Sequence, residues 1–380
     1  MALGLYIHIP FCSAICNYCN FNRGLFDADL KARYVDALLG EVKRAGQAGT
    51  AGGARRSADT IYFGGGTPSL LEPTEVARII AACRDAFDVS GDAELTLEAN
   101  PESVDPDKLT ALRSAGVNRL SFGVQSFRDA ELRRLSRLHD TARARAAMDE
   151  ARNAGFDNIS LDLMMWLPEQ RVDEWLSNVD AAIACDPDHL SLYLLEVYPN
   201  APLKDDMARA RWSQAPDDDA ATMYVTAMER LEAAGYEQYE ISNVAKPGRW
   251  SRHNLKYWTD GEWLGLGCGA HGTIDGVRTK NVSGITDYID CIARGQPVTS
   301  DVRRMDADER LGDALFTGLR LVEGIDLDVV QKRYGVDVWR KYGADLARFL
   351  DAGLLRRDGH RLALTRNGML LANEVMTVFV

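Results

Sequence analysis

Short apolar segments alternate with longer amphipathic ones along the first 200 residues. The apolar segments predict six β-strands, at Leu3–Ile9, Thr60–Phe63, Glu94–Glu98, Arg119–Gly123, Asn158–Leu163 and His189–Leu194. Helical patterns lie between them, around Leu30–Ala45 and at Pro73–Phe87, Asp105–Ala115, Thr141–Ala154 and Asp173–Cys185, with a Gly/Ala-rich loop at Gly46–Gly53. Strands that alternate with helices indicate βαβ units and a parallel sheet. We therefore expect an α/β protein built on a partial, TIM-like (β/α)6 barrel.

The alternation fades after about residue 200. A charged connection, Lys204–Asp219, leads into a predicted helix at Ala220–Ala234. Gly-, aromatic- and polar-rich sequence follows at 236–295 and carries a second set of candidate site residues. We expect three units: the barrel at 1–235, an extension at 236–298 and a C-terminal domain at 299–380.

The C-terminal domain shows three helical patterns and a hairpin pattern. The helices are predicted at Asp306–Leu321, Leu327–Tyr334 and Val338–Ala352. Two strand patterns, Leu354–Arg357 and Arg361–Thr365, flank Asp358-Gly359, a dipeptide typical of hairpin turns. This order predicts a mainly helical, winged-helix-like domain. Residues 301–380 carry 13 Lys/Arg and 13 Asp/Glu, so we expect a cap or interaction module rather than a DNA-binding one.

The net charge and the use of cysteine limit which compartments and partners we expect for this chain. The formal net charge of −12 is a poor match to nucleic acid, which attracts basic surfaces. No apolar run approaches the ~20 residues needed to span a bilayer, and Met1–Pro10 lacks the basic and apolar regions of a secretory signal. We expect a cytoplasmic protein with no nucleic-acid partner and no membrane span. Its seven cysteines are then reduced thiols, and clustered ones are expected to bind metal or act in catalysis.

Three cysteines fall within eight residues, directly after the first predicted strand. Cys12-x3-Cys16-x2-Cys19 supplies three thiolates, and thiolates bind iron–sulfur clusters. Three ligands for a four-iron cluster leave one iron open to a small chelating ligand. Structural zinc is the alternative, but it takes four protein ligands, and the closest candidate for a fourth is His8.

Polar or glycine-rich features lie at the ends of four of the six predicted strands. Gly64-Gly65-Gly66-Thr67-Pro68 follows the second strand, and Glu98 ends the third. Gln125 follows the fourth strand, and Asp162 lies late in the fifth. Sites in (β/α) barrels are built at the carboxyl ends of the strands, so we expect these residues to share one site. The alternative, that polar residues simply begin where strands end, stays open at this point.

The cysteine loop resembles the signature of the radical S-adenosylmethionine (SAM) superfamily. The run Gly64–Gly66 resembles its second motif, where backbone beside the second strand receives the methionine amino group. Members of the superfamily bind SAM to the open iron of a 4Fe–4S cluster and split it into methionine and a 5′-deoxyadenosyl radical. The resemblance thus implies a 4Fe–4S cluster on Cys12, Cys16 and Cys19, with SAM beside it.

Longer motifs resemble the oxygen-independent coproporphyrinogen III oxidase branch of this superfamily, nearly end to end. They are Tyr6-Ile7-His8-Ile9-Pro10-Phe11-Cys12, Asn17-Tyr18-Cys19-Asn20-Phe21, Tyr62–Pro68, Glu98–Pro101 and Gly123–Phe127. By position, the resemblance implies cofactor contacts from Tyr6, His8, Tyr18, Gly65, Gly66, Thr67, Glu98, Gln125, Arg137 and Asp162. Arg137 alone also fits a solvated helix face, because it lies in a Leu-Arg-Arg-Leu-Ser-Arg run.

Two departures from the oxidases resemble the haem chaperones of the same branch. The oxidases carry Cys-x-Cys at the end of the loop, whereas Phe21 stands two residues after Cys19 here. They also carry an extension before the first strand, which we expect to be missing because this chain begins at that strand. Both features favour haem carriage over the coproporphyrinogen reaction.

The Gly- and aromatic-rich segment adds motifs of the haem-chaperone group. His253-Asn254-x-x-Tyr257-Trp258 matches its HNxxYW motif, which is associated there with haem, and Gly265–Gly272 is similar to the same group. Imidazole and thiolate are axial ligands of haem iron, and Tyr and Trp rings pack on the macrocycle. Whether His253, Cys268 or His271 binds the iron stays open, as does a purely structural turn and loop. The remaining cysteines are predicted to be ordinary buried thiols: Cys83, Cys185 and Cys291.

The expected function is therefore that of a haem chaperone. It would bind a 4Fe–4S cluster, SAM and haem, and pass the haem to an acceptor such as a respiratory protein. An electron donor would serve the cluster, and any SAM cleavage would be regulatory or coupled to transfer. The alternative is an enzyme, oxygen-independent coproporphyrinogen III dehydrogenase, in which the radical abstracts hydrogen from a propionate side chain and CO2 is lost. Radical modification of RNA or another substrate has less support, because no basic patch is visible.

Overall fold

The fold is that of a computed structural model, which describes residues 2–48, 54–199 and 201–380. The strands are β1 Leu3–Ile9, β2 Phe11–Cys12, β3 Gly24–Leu25, β4 Ser57–Gly65, β5 Asp88–Ala99, β6 Arg119–Gln125, β7 Ile159–Met165, β8 His189–Leu194, β9 Glu237–Glu240, β10 Asn243–Ala245, β11 Trp263–Leu266, β12 His271–Ile274, β13 Val277–Asn281, β14 Thr299–Arg304, β15 Ile325–Asp326, β16 Leu355–Asp358 and β17 Arg361–Leu364. The α-helices are α1 Ala28–Ala48, α2 Pro73–Ala86, α3 Pro106–Ser114, α4 Asp129–Arg134, α5 Thr141–Asn153, α6 Val172–Ala184, α7 Pro202–Ala210, α8 Asp217–Ala233, α9 Arg252–Trp258, α10 Ile285–Ala293, α11 Ala307–Gly318, α12 Leu327–Tyr334, α13 Val338–Asp351, α14 Arg366–Leu370 and α15 Ala372–Met376.

Twelve strands form one large sheet, in the order β14-β13-β12-β11-β1-β4-β5-β6-β7-β8-β10-β9. The six strands from β1 to β8 in that order run parallel, each hydrogen-bonded to the next. Helices lie in the connections between them, which is the partial (β/α)6 barrel that the alternation predicted. β1 and β8 have the predicted bounds, and β4 to β7 continue past the predicted carboxyl ends.

Alternation along each parallel strand separates an apolar layer from a polar barrel interior. In β1, Leu5 and Ile7 are fully buried in the main apolar core. Tyr6 and His8 lie on the opposite face, because successive strand residues point to opposite sides of a sheet. The Tyr6 ring stacks on the ring of Tyr62 in β4, with centroids 6.2 Å apart. The inward faces therefore supply polar and aromatic groups to the interior.

The short helix α9 closes the amino end of the barrel. Its Lys256 Nζ donates to the Ala2 carbonyl, at the start of β1, over 2.8 Å. The backbone N–H groups of Arg252 and His253 donate to the two carboxylate oxygens of Glu94, each at 3.0 Å. A carboxylate at a helix N-terminus is stabilised by the unpaired N–H groups and by the helix dipole. Glu94 thus ties the first turn of α9 to β5.

Further strands extend the sheet on both sides of the barrel. β11 pairs in parallel with β1, and β12, β13 and β14 continue antiparallel. β10 and β9 add antiparallel strands beside β8. Most of these strands are three to five residues long and polar, so they leave little periodicity in the sequence. Because β14 pairs with β13, the sheet runs past the boundary expected at 299, and the three-unit division stays a prediction.

The C-terminal part has the predicted order of three helices and a hairpin. α11, α12 and α13 accompany a three-stranded antiparallel sheet, β15-β17-β16. The domain contacts β9 of the large sheet through an isolated bridge between Leu321 and Glu240. Arg320 strengthens this contact, because its guanidinium pairs with Glu240 at 3.0 Å and lies over the Trp258 ring, 4.4 Å from its centroid. No helix in the described part of the chain could span a membrane.

Three local predictions differ from the structure. The connection expected at Lys204–Asp219 contains most of α7, which begins with Pro202 at its first turn, a position that proline favours. The loop expected at Gly46–Gly53 begins later, because α1 continues to Ala48, and positions 49–53 of that loop lie outside the described residues. The helix expected up to Leu321 ends at Gly318, because the chain turns there to form the bridge with β9.

Candidate functional site

A cavity of about 430 Å³ lies at the carboxyl ends of the barrel strands. It is lined by the three loop cysteines and by eight residues to which the family resemblance assigned cofactor contact. The eight are Tyr18, Gly65, Gly66, Thr67, Glu98, Gln125, Arg137 and Asp162. They come from separate segments of the sequence and meet because the carboxyl ends of parallel strands share one edge of the barrel. The volume is that of a small-molecule site.

The cysteine loop is anchored on both sides of its three thiols. β2, which ends at Cys12, pairs in parallel with β3 and so closes the loop at its base. The Thr67 hydroxyl contacts Cys12 Sγ at 3.6 Å, and Arg137 Nη1 contacts Cys16 Sγ at 3.4 Å. Burial raises the pKa of Cys12 and of Cys19. The hydroxyl and guanidinium donors favour negatively charged sulfur, so they would stabilise Cys12 and Cys16 as thiolates.

The donor set fits a 4Fe–4S cluster with one open iron. Three thiols line the cavity, and the four other cysteines of the chain are not among its lining residues. No three His, Cys, Asp or Glu side chains in the described residues surround the position of a single metal ion. Cysteine thiolates are the usual ligands of iron–sulfur clusters. Cys12, Cys16 and Cys19 are the residues that would hold such a cluster, and the cavity they line extends beyond them.

Arg137 is part of this cavity and not of a solvated helix face. It lies just after α4, and its Nη2 donates to Asn100 Oδ1 and to the Gly123 carbonyl, both at 2.7 Å. Asn100 in turn donates from Nδ2 to Thr67 Oγ1 at 3.2 Å. Sequence reasoning did not single out Asn100 as a site residue. The signal was its position two residues after Glu98, since residues two apart on an extended chain face the same side.

The glycine run is packed too closely for any other residue. Gly65 has φ +116°, and a Cβ there would lie 2.5 Å from the His8 ring. A Cβ on Gly66 would lie 2.6 Å from the Phe11 carbonyl oxygen. Glycine tolerates both the positive φ and the close approach. The backbone of β4 can therefore come directly beside the cysteine loop and present its own polar groups to a ligand.

Glu98 joins the glycine run to the barrel interior. Its Oε2 accepts the Gly65 N–H at 3.1 Å, and its Oε1 accepts the Tyr62 hydroxyl at 2.7 Å. Burial raises its pKa to about 7, the Tyr62 hydrogen bond lowers it, and the nearby Asp162 charge raises it further. Burial likewise raises the pKa of Asp162, which accepts from Ser121 Oγ at 3.3 Å. Burial makes it costly to ionise these two carboxyl groups without a partner. They therefore favour a ligand with cationic or hydroxyl groups.

Gln125 reaches the cavity through an irregular strand end. Its φ is +68°, which non-glycine residues rarely adopt, and the β6–β7 register shifts between Phe122 and Gln125. Bulges of this kind redirect side chains next to sites. The sequence placed Gln125 after the strand, whereas the structure makes it the last residue of β6.

Tyr6 and His8 support the cavity from below its lining. His8 is buried, its Nδ1 lies 3.1 Å from the Tyr6 hydroxyl, and its Nε2 lies 2.8 Å from the Asn22 carbonyl oxygen. Burial lowers the pKa of His8, so the ring is neutral at neutral pH. The contact with Asn22 ties the end of the cysteine loop to β1. Neither residue is among those that line the cavity.

His253 lies at the other end of the barrel, on the closing helix α9. Its ring is buried, with Nδ1 2.8 Å from Thr60 Oγ1 and Nε2 2.9 Å from the Tyr257 hydroxyl. Burial lowers its pKa to about 3, and Lys256 adds to that effect. Both nitrogens are thus occupied, and an iron on this imidazole would have to displace one of the two partners. The structure does not bring His253 to the cavity at the carboxyl end.

Cys268 and His271 differ in their surroundings although they are three residues apart. Cys268 is fully buried, and its backbone N–H donates to the Tyr34 hydroxyl at 3.0 Å. Its carbonyl accepts Asn22 Nδ2 at 3.1 Å, and burial raises the pKa of its thiol to about 12. His271, at the start of β12, is exposed. Cys268 therefore serves to hold the cysteine loop through Asn22, while His271 is accessible.

The chain is similar to two family models and to named proteins. The radical SAM superfamily model matches residues 6–182, and the HemN C-terminal domain model matches residues 305–371. The chain is 36% identical to the heme chaperone HemW of Bacillus subtilis over 99% of this chain and 98% of that protein. It is 40% identical to the heme chaperone HemW of Escherichia coli, over 72% of this chain and 70% of that protein.

The fold is also similar to that of a solved structure. Coproporphyrinogen III oxidase (HemN) from Escherichia coli, described as a radical SAM enzyme, superimposes with a TM-score of 0.87. The match covers 100% of this chain and 90% of that one, at 24% sequence identity. At this identity the likeness speaks for the barrel and the C-terminal domain, and not for the reaction.

Proposed function

The chain belongs to the radical SAM superfamily and, within its coproporphyrinogen III oxidase-like branch, to the HemW family, and on that basis we propose that it is a haem chaperone. It binds haem, a 4Fe–4S cluster and SAM, and delivers the haem to an acceptor protein. The observation that carries this proposal is the near-complete alignment with proteins named heme chaperone HemW, at 36% identity over 99% of this chain. The three cysteines need a reducing compartment, which the cytoplasm provides.

The cavity supports the cofactor part of the proposal. Cys12, Cys16 and Cys19 would hold the cluster, whose open iron, once reduced, supplies the electron for SAM chemistry. The carboxyl groups of Glu98 and Asp162 suit the ammonium and hydroxyl groups of SAM. These groups already face the cavity, so little reorganisation is needed for binding. The electron donor and the haem acceptor are partners that the proposal requires.

Phe21 supports haem carriage over the coproporphyrinogen reaction. It stands where the oxidases of this branch are expected to carry a cysteine, and its side chain lines the cavity with 69% of its surface exposed. A phenyl ring is neither a metal ligand nor an acid or base. It offers a flat apolar surface at the cavity mouth instead.

Anaerobic reconstitution followed by haem titration tests the proposal. We expect stoichiometric haem uptake, monitored by the Soret band, and transfer of the haem to an apo-form of a b-type cytochrome. The same preparation, given SAM, a reductant and coproporphyrinogen III, is expected to release no CO2. Conversion to protoporphyrinogen would assign the enzyme activity instead, and a preparation with an intact cluster that takes up no haem would overturn the chaperone proposal.

A further inference from the structure

A row of inward-facing side chains lies between the two ends of the barrel. In the strand register Tyr62 of β4 stands opposite Tyr6 of β1 on one side and opposite Thr96 of β5 on the other. Thr96 in turn stands opposite Arg119 of β6. Directly opposed residues share a face of a sheet, so these four side chains form one layer across the interior. A side chain in this layer can contact groups of the amino end and of the carboxyl end.

Tyr62 contacts the amino end through the ring of His253. The two rings are stacked, with centroids 5.0 Å apart and an interplanar angle of 27°. The Nδ1 atom of the same imidazole lies 2.8 Å from Oγ1 of Thr60, two residues before Tyr62 in β4. The centroid of the imidazole also lies 6.4 Å from that of the Tyr6 ring. His253 therefore packs along the inward face of β4, and its position sets the surface against which the Tyr62 ring lies.

Tyr62 contacts the carboxyl end through its hydroxyl group. That hydroxyl donates to Glu98 Oε1 at 2.7 Å, and the Gly65 N–H donates to Glu98 Oε2 at 3.1 Å. A Cβ on Gly64 would lie 3.0 Å from the rings of Tyr6 and Tyr62. It would also lie 3.2 Å from Glu98 Oε1, so the junction has no spare room. In such dense packing, a displacement of the Tyr62 ring changes the position of the Glu98 carboxyl group, which lines the cavity.

Ligands at the two ends favour different arrangements of these contacts. Both His253 nitrogens have partners, Thr60 and Tyr257. A ligand on the imidazole must displace one of the two and move the ring from its place on Tyr62. The Glu98 carboxyl group faces the cavity while the imidazole stays in that place. A ligand of His253 and a ligand of Glu98 therefore weaken each other's binding, and by the same factor.

We propose that Tyr62 is a positioning residue that couples the two ends of the barrel, so that haem held at His253 and SAM held at Glu98 weaken each other's binding. This inference rests on the proposed haem-chaperone function and extends it. SAM in the cavity then favours release of the haem, and bound haem keeps the SAM affinity low until it has been delivered. Tyr62 is not among the residues that line the cavity, so it acts through the Glu98 carboxyl group.

SAM binding to a set of variants tests the role of Tyr62 without haem. Tyr62→Phe keeps the ring and removes the hydroxyl, so the SAM affinity, measured by equilibrium dialysis, should fall about fivefold. In Glu98→Gln protein the same change should add less than about twofold, because Tyr62 acts through Glu98. Tyr236→Phe, which removes a buried hydroxyl from the Pro187 carbonyl, is the matched control and should bind SAM like the wild type. Cluster iron and thermal unfolding show that each variant is folded. Unchanged affinity in Tyr62→Phe, or fully additive effects of Tyr62→Phe and Glu98→Gln, would overturn the inference.

Haem-dependent SAM binding tests the coupling itself. In the wild type, the SAM affinity should fall about tenfold when haem is saturating, and saturating SAM should weaken haem binding, monitored by the Soret band, by the same factor. In Tyr62→Phe this factor should shrink to less than about threefold, a change that a purely structural role of Tyr62 would not produce. A wild-type SAM affinity that haem leaves unchanged or raises, or a tenfold factor that persists in Tyr62→Phe, would overturn the coupling while leaving the chaperone function standing. Failure of the wild-type protein itself to bind haem would instead overturn the proposed function.

Discussion

At the carboxyl end of the barrel Glu98 and Asp162 face a cavity of about 430 Å³, whereas at the amino end Glu94 and His253 lie buried beneath α9. Both ends hold carboxyl groups, and the interior between them contains aromatic rings such as those of Tyr6 and Tyr62. At the amino end, both carboxylate oxygens of Glu94 and both ring nitrogens of His253 have a protein partner at hydrogen-bond distance. At the carboxyl end the groups keep a surface toward the cavity. The difference is therefore exposure to a cavity: Glu98, although both its oxygens accept hydrogen bonds, lines open space that a ligand can enter, whereas Glu94 does not.

The physical basis is the cost of burying polar groups. A buried polar group without a partner costs about 1–3 kcal/mol. The polar groups of a closed site must therefore form hydrogen bonds within the protein. His253 does so through Thr60 and Tyr257. In an open site, water or a ligand can supply some of these hydrogen bonds. Motif identity alone therefore does not reveal whether a histidine is a ligand or a support.

Removal of a cluster cysteine is the most severe test of the open end. Cys16→Ser should abolish nearly all cluster iron after anaerobic reconstitution, because two thiolates are left for a four-iron cluster. Iron and sulfide content and the visible absorbance near 400 nm are the measurements. Cys291→Ser, in α10 and away from the cavity, is the matched control and should retain the wild-type iron content. Equal iron in the two variants would contradict the assigned ligands.

Truncation of the buried histidine tests the closed end. His253→Ala should lower the free energy of unfolding by about 3 kcal/mol, because it opens a cavity and leaves Thr60 and Tyr257 without their partner. Urea denaturation provides the measurement. His271→Ala, at an exposed position, should change the unfolding free energy by less than about 0.5 kcal/mol. Equal free energies of unfolding in the two variants would show that the hydrogen bonds of His253 do not stabilise the amino end of the barrel.

Lowering the pH should reduce the free energy of unfolding through the same histidine. The pKa of His253 is lowered to about 3, chiefly by burial, while in the unfolded chain it is about 6.5. The unfolded state therefore binds the proton more readily, and stability falls as the pH drops from about 6.5 toward 3. At pH 5 the loss from this group is about 2 kcal/mol. Denaturant midpoints between pH 7 and 5 should fall less steeply in His253→Asn, and identical pH slopes would argue against a buried neutral ring.

A conservative change in the cavity should give the smallest effect. Glu98→Gln keeps the shape of the side chain and removes its charge, so SAM binding should weaken about tenfold, or 1.4 kcal/mol, with cluster iron unchanged. Equilibrium dialysis with labelled SAM measures it. Glu323→Gln, at an exposed position, should bind SAM like the wild type. Unchanged affinity in Glu98→Gln would mean that the open carboxyl group does not contact SAM.

Local pattern was sufficient for the barrel and for the cysteine loop. β1, β8 and α12 have the predicted bounds, because each combines a clear period with clear boundaries. The short polar strands of the extension were not predictable in this way. β14 is exposed along its whole length, so no alternation of buried and exposed positions marks it, and its partner β13 decides its structure.

The sequence by itself was sufficient to identify the candidate thiol ligands, the glycine run and the family motifs, because these depend on residue type and close spacing. It did not determine the roles of Arg137, His253 and His271. Arg137 lies in a charged run that fits a solvated helix, and only the approach of Cys16 and Asn100 makes it part of the cavity. Whether a histidine is enclosed by partners or left free depends on which strands and helices meet around it. Those meetings join residues far apart in the chain, and only the tertiary structure supplies them.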